Sequence, residues 1–194
     1  PFHATERDPG YIRAYPPGIR ENGGQYTHAA AWLGLAHARL GDGDSAYAIF
    51  DLINPVRRSA GPDGADLYRG EPYVLPGDVC GAGPGTGQAG WTWYTGASGW
   101  AWQLATEGIL GLVLHRGSLK ISPRLPKDWG RAEARVKGPG GTLIVTIDDP
   151  EKLGTGPVDL TVDGLPLDGD HVAFPAGGAT RHVTARLRQA HLKD

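Results

Sequence analysis

A chain of 194 residues suffices for one ordinary domain, or for the end of a larger one joined to a small second unit. With 40% hydrophobic and 21% charged residues it has the composition of a soluble globular protein, not of a disordered one, and no apolar run approaches the roughly 20 residues of a membrane span. A net charge of −2 offers no clustered basic excess for nucleic acid or an anionic membrane, and the single Cys80 excludes an internal disulfide.

The first residues, from Pro1 to Arg7, carry neither the basic region nor the apolar region of a signal peptide, so a cytoplasmic location is expected. Met is absent throughout, position 1 included, and the chain is expected to be a piece of something longer. Residues 1–24 are rich in turn signals: Pro9-Gly10, Pro16-Pro17-Gly18 and Gly23-Gly24. An Ala-rich helix is expected over about 25–40, ended by Gly41. Asp44 reads as the N-cap of a second helix, Ser45 to Ile53, stopped by Asn54-Pro55. The short connection makes the two an antiparallel hairpin.

Residues 55–94 read mostly as loop, and a loop that long in a compact domain points to function. A third helix is expected over about 97–110. From residue 112 onward the pattern changes to short β-like runs at 112–114, 119–121, 132–136, 143–147, 158–162, 171–174 and 182–187, separated by Gly, Pro and Asp turns. Asp148-Asp149-Pro150 is expected to end a strand, and 189–194 to fray. The domains expected are therefore 1–111, helical, and 112–194, a small antiparallel β-sandwich or jelly roll. Helical hairpins with so many aromatics suggest a slice of a bundle or toroid that needs a larger helical surface beside it.

Two stretches carry chemistry. Tyr15–His28 packs Arg20, Glu21, Asn22, Gln25, two Tyr and His28 into turns that lead into the first helix. Glu21 and Asn22 stand where side chains can cap that helix, and His28 lies on its first turn; capping plus a satisfied core His is the plain alternative. Gly90–Trp100 places Trp91, Trp93 and Tyr94 before Thr95-Gly96 at the start of the third helix. Aromatic rings suit the apolar face of a sugar. A helix N-terminus with a close-approach Gly and a Thr hydroxyl suits an anion. Taken alone, an aromatic core with a Thr cap would explain this stretch as well. Together, His28 on one helix start and Thr95 and Gly96 on another make a phosphate pocket.

Other signals fail. The segment Gly81 to Gly87 contains Pro84 and lacks the Lys-Ser/Thr and the helix of a nucleotide-binding loop. Asp42 and Asp44 lack the later ligands of a calcium loop, and the His residues lack metal-ligand spacing, so no metal is expected. Cys80 has no paired base, and Ser98 and Ser118 lack the context of a nucleophile.

The stretches Tyr15–His28, Asn54-Pro55, Glu71–Val74, Gly90–Trp100, Glu107–Gly111 and Pro123–Trp129 occur in an order and at separations that resemble the inverting glycoside phosphorylases, which include cellobiose and chitobiose phosphorylase. The wording of Arg20–His28 and of Gly90–Gly96 is most similar to the C-terminal module of cyclic β-1,2-glucan synthases. The resemblance covers roughly residues 8–135. It implies the last part of an (α/α)6 helical barrel followed by a C-terminal β-sandwich, with the upstream part of the same barrel as a partner.

The reaction implied is phosphorolysis of β-linked gluco-oligosaccharides to α-glucose 1-phosphate with inversion. Inorganic phosphate is the co-substrate and no cofactor is needed. Matching the family's motifs, His28, Thr95 and Gly96 would contact phosphate, and Arg20 and Glu21 would lie near the leaving-sugar subsite, while Trp91, Trp93 and Tyr94 are expected to bind sugar on their aromatic chemistry alone; related enzymes often carry Lys where Arg20 stands. The general-acid Asp and the Arg phosphate ligands belong to upstream motifs with no match here, so this chain is expected to hold no catalytic acid and to be incomplete alone. The resemblance leaves open a homo-oligomer and attachment of the parent to the inner membrane. Two other readings stay open: a non-catalytic carbohydrate-binding module and part of a toroid glycoside hydrolase.

Overall fold

The computed structural model describes residues 1–2 and 5–190; of the stretch expected to fray, residues 191–194 lie outside those described. The chain divides into two compact units, one of residues 1–34 and 48–102, the other of residues 35–47 and 103–194.

In the first unit a 3-10 turn, Gly10–Ala14, and a run of turns precede strand β1, Gln25–Tyr26. Helix α1, Thr27–Arg39, starts immediately after it, and α2 covers Gly43–Ile53; residues 35–39 of the one and 43–47 of the other belong to the second unit. Two short helices follow where loop was expected: α3, Pro55–Arg58, and α4, Gly61–Tyr68. The Asn54-Pro55 pair that stops α2 also starts α3. Asn54 Oδ1 accepts from the Val56 N–H at 3.0 Å, and Pro at the first helical position loses no hydrogen bond. Strands β2, Asp78–Val79, and β3, Ala89–Gly90, complete a three-stranded antiparallel ribbon with β2 in the middle. Its register sets Tyr26 and Gly90 on either side of Asp78. Helix α5 runs over Thr95–Gln103 and passes into a π-helical turn, Leu104–Ile109, whose residues belong to the second unit, in place of the single helix expected over 97–110. The unit's core is small and built largely from alanines: Ala31, Ile53, Leu75, Ala97 and Ala101, with Tyr94 and Trp100 packed against them.

The second unit corrects one cap. Helix α2 begins a residue before Asp44, and it is Asp42 whose Oδ1 accepts from the Ser45 N–H, at 3.0 Å. Asp44 instead accepts from the Lys127 N–H at 2.9 Å. The β-strands are β4 (Leu112–His115), β5 (Ser118–Ile121), β6 (Arg131–Lys137), β7 (Thr142–Asp148), β8 (Val158–Val162), β9 (Leu165–Leu167), β10 (His171–Ala173) and β11 (Thr180–Leu187). They form sheets of order β10-β5-β4 and β6-β7-β11-β8-β9.

Alternate residues of β7 (Leu143, Val145, Ile147) and of β11 (Val183, Ala185, Leu187) meet Leu119, Ile121 and Val172 of the other sheet in one core. Pairing among these strands is antiparallel apart from β7 with β11, which run parallel from Thr142↔Thr180 to Asp148↔Arg186. The expectation was of antiparallel strands throughout. The last strand departs from it because it returns after β8, β9 and β10 and inserts beside β7, where no hairpin dictates direction. Asp149, fully buried, ends β7 by accepting from the N–H groups of Leu153 at 2.9 Å and Gly154 at 2.7 Å. Among the described residues no helix is long and apolar enough to cross a membrane.

Candidate active site

All the residues singled out for phosphate or sugar lie in the first unit. The tight turns before β1 put Arg20 in the left-handed backbone region, φ 48°, where a non-glycine residue needs outside support. The support is Asp78, 1% exposed, whose Oδ2 accepts the Arg20 N–H at 2.7 Å. A Cβ on Gly24 would lie 2.7 Å from the same oxygen, and one on Gly90 would collide with Oδ1. Both glycines therefore follow from burying a carboxylate at the centre of the ribbon. Asp78 Oδ1 has no hydrogen-bond partner among the described residues.

Fixed this way, the Arg20 guanidinium stands 4.5 Å from the Trp91 ring centroid and 5.3 Å from that of Tyr15, and Nη1 donates to the Tyr15 hydroxyl at 3.3 Å. That hydrogen bond, first, raises the arginine's pKa further. Trp91, φ 26°, lies against Gly77, where any side chain would overlap the indole. Arg20, Glu21, the Gly23-Gly24 pair, Tyr26, Trp91 and Tyr94 line a cleft of about 500 Å³. A larger cavity of about 590 Å³ in the β unit has no aromatic lining, and its one arginine, Arg188, is engaged by Asp159 at 2.8 Å.

His28 is the second residue of α1 and touches four aromatic rings: Tyr26, Trp32, Tyr94 and Trp100, with centroid separations of 5.4, 5.4, 5.9 and 6.2 Å. Its Nδ1 is 3.2 Å from the Tyr26 hydroxyl, which in turn is 3.3 Å from the Tyr94 hydroxyl. The hydrogen bond with Tyr94, first, and then desolvation raise the Tyr26 pKa and keep the phenol protonated. Gly96 is the second residue of α5, and a Cβ there would stand 2.6 Å from His28 Cε1, so the imidazole edge rests on the start of the other helix. Thr95, exposed, opens that helix. Neither helix has an acidic residue in its first turn, so both leave positive dipole ends uncompensated.

The two stretches predicted to carry chemistry thus meet, His28 on Gly96 and Arg20 on Trp91. One expectation does not hold as drawn. Asn22 does not cap α1: its Oδ1 accepts from the Phe2 N–H at 2.6 Å and its Nδ2 donates to the Tyr15 carbonyl at 2.7 Å, tying up the turn instead. Glu21 lines the cleft wall. Trp93, φ 64° and 63% exposed, is outside the cleft lining; its Nε1 donates to Glu71 Oε1 at 3.0 Å, and its ring meets Tyr73 at 6.0 Å.

Sequence reasoning did not single out Tyr26, Trp32, Trp100 or Asp78. Trp32 was accessible to it, being one helical turn from His28. Asp78 was not, since only strand register brings it to Arg20. Among the described residues no cluster of three His, Cys, Asp or Glu side chains is placed to hold a metal ion.

The profile of the glycosyl hydrolase 94 superfamily, catalytic domain, matches residues 1–111. Cyclic beta-(1,2)-glucan synthase NdvB of Rhizobium meliloti (strain 1021) is 45% identical over 154 residues, 79% of this chain but 5% of its own length. N,N'-diacetylchitobiose phosphorylase of Vibrio proteolyticus is 30% identical over 96% of this chain and 23% of its own, and solabiose phosphorylase of Paenibacillus borealis 29% identical over 94% and 24%. The chain thus spans a quarter or less of these relatives. With a matched profile over more than half its length, and with the expected motifs meeting in space, the chain belongs to the glycosyl hydrolase 94 superfamily.

Proposed function

We propose that this chain is the C-terminal portion of a glycoside phosphorylase acting on β-linked gluco-oligosaccharides, with β-1,2 linkages the first to test, and that it supplies the phosphate pocket and part of the leaving-sugar subsite. The observation that carries the reading is the contact between His28 and Gly96 at two uncompensated helix starts, beside a cleft walled by Trp91, Tyr94 and Arg20. The glucan synthase and phosphorylase relatives support it.

In this reading phosphate is held by His28 Nε2, the Thr95 hydroxyl and the backbone N–H groups at the start of α5. A phosphate oxygen forms a bond to the anomeric carbon as the glycosidic C–O bond breaks, and the departing sugar oxygen takes a proton from a carboxylic acid in the upstream part of the same barrel. Nothing in this chain abstracts a proton, because phosphate is already a competent nucleophile. The site's work is to gather the anion and hold it in line. Trp91 and Tyr94 offer ring faces to sugar C–H groups, while Arg20 and Glu21 offer a charged donor and an acceptor to hydroxyls.

The test is release of glucose 1-phosphate from β-1,2-gluco-oligosaccharides by the parent enzyme. Phosphate-dependent release is expected. His28→Ala is expected to raise the phosphate KM by about 10- to 100-fold, the scale of a lost hydrogen bond to a charged group, with the sugar KM little changed. Sugar release without phosphate would make the protein a hydrolase, and equal loss of phosphate and sugar binding would remove His28 from the phosphate pocket.

A further inference from the structure

We infer that Tyr26 is a positioning residue that fixes which nitrogen of His28 carries the proton and the angle at which the ring meets its ligand. The inference rests on the phosphate role proposed for His28 and goes a step past it. A neutral imidazole binds an anion as a donor only through a protonated nitrogen, and the proton's place is set by what the other nitrogen does. Here Nδ1 faces the Tyr26 hydroxyl at 3.2 Å, while Nε2 has no partner among the described residues.

The Tyr26 hydroxyl has one hydrogen and two neighbours, His28 Nδ1 and the Tyr94 hydroxyl at 3.3 Å. Either of the two hydroxyls can donate to the other. Only one direction of this chain leaves the imidazole a donor to an anion. In that direction Tyr26 donates to Nδ1 and the imidazole keeps its hydrogen on Nε2. Reversed, Nδ1 would hold the hydrogen and Nε2 would present a lone pair to an anion.

Ring contacts hold the geometry. The Tyr26 and His28 planes are 30° apart at 5.4 Å, while Trp32 meets the imidazole at 66° and Gly96 bounds it at Cε1. Strand β1 places Tyr26 two residues before His28, and β1 is pinned to β2 through Tyr26↔Asp78. The hydroxyl therefore sits on a fixed backbone and not on a free loop.

Tyr26→Phe removes only the hydroxyl and keeps the ring, at a position 41% exposed where no buried group is orphaned. In the parent enzyme it is expected to raise the phosphate KM by about three- to tenfold, the scale of one ordinary hydrogen bond. The deciding readout is a double-mutant cycle with His28→Ala. Once the imidazole is gone the hydroxyl has nothing to orient, so Tyr26→Phe should cost nothing further in that background. A Tyr26→Phe penalty that persists in full beside His28→Ala would make the hydroxyl merely structural and overturn the inference. So would a Tyr26→Phe enzyme with normal phosphate use while His28→Ala is impaired. If His28→Ala itself spares phosphate use, the phosphate role of His28 falls first, and that outcome is distinct from the other two.

Discussion

An imidazole edge resting on a glycine leaves no room for a methyl group. Gly96→Ala should therefore displace the His28 ring, because the new Cβ would start 2.6 Å from Cε1. The expected result is a phosphate KM raised by about tenfold or more with little change in thermal stability, since Ala is the better helix residue. Arg20 makes a second case. Arg20→Lys keeps the charge but not the flat guanidinium 4.5 Å from the Trp91 centroid, and should weaken binding of the leaving sugar while sparing phosphate; an unchanged sugar KM would remove the stacked pair from the subsite.

At this scale the sequence was informative about residue types and their order, because a cation, a carboxylate and an imidazole crowded before an Ala-rich helix have few bland explanations. It was silent on Asp78 and on Tyr26 as a partner of His28. Asp78 reaches Arg20 only through a two-residue strand pairing that no periodicity announces. Nor does the sequence announce that Trp93, between Trp91 and Tyr94 of the cleft lining, has a positive φ and turns to Glu71 and Tyr73.

The elements show a similar division. Strands of the β unit were legible because one face is buried, so apolar residues alternate: Leu143, Val145 and Ile147 are all inside. Helices α3 and α4 were not, since four and eight residues are too few to display a helical period. The π-helical turn at Leu104–Ile109 looks in sequence like an uninterrupted helix, because one extra residue per turn leaves no mark in composition.

The cap of α2 allows a test of pH. Hydrogen bonds from Ser45, its side chain first and then its backbone N–H, hold the Asp42 carboxyl below its ordinary range, with His37 at 3.1 Å adding to it. A depressed folded-state pKa stabilises above the unfolded value and loses that contribution as pH falls through the folded one. Hydrogen exchange over residues 43–50 should thus be faster in Asp42→Ala than in the wild type near neutral pH, and the difference should shrink once the pH drops below the usual carboxylate range. A difference independent of pH would mean that the carboxylate is not the cap.

For the molecule as a whole, the two units are built differently. The β unit closes on a core of fully buried Leu, Ile and Val drawn from both sheets. The first unit has a core largely of alanines and leaves Trp32, Leu33, Leu52 and Val56 exposed. That contrast agrees with the proposal that the helices here belong to a barrel whose other part lies elsewhere in the parent, and it is why composition alone suggested a slice of a toroid. The direction of β11 was not legible, since alternation reports which face is buried and not which neighbour a strand takes.

Ending the chain at residue 179 removes the strand that joins β7 to β8 and should leave the β unit unfolded, seen as rapid proteolysis within residues 131–167; persistent protection there would mean that the sheet closes without it. The same placement makes order of synthesis matter. On the ribosome β7 and β8 emerge well before the strand that will separate them, and each waits with a bare row of N–H and C=O groups. The fold of this unit is thus sealed only once β11 has been translated, and until then the nascent chain is most open to pairing with the wrong strand.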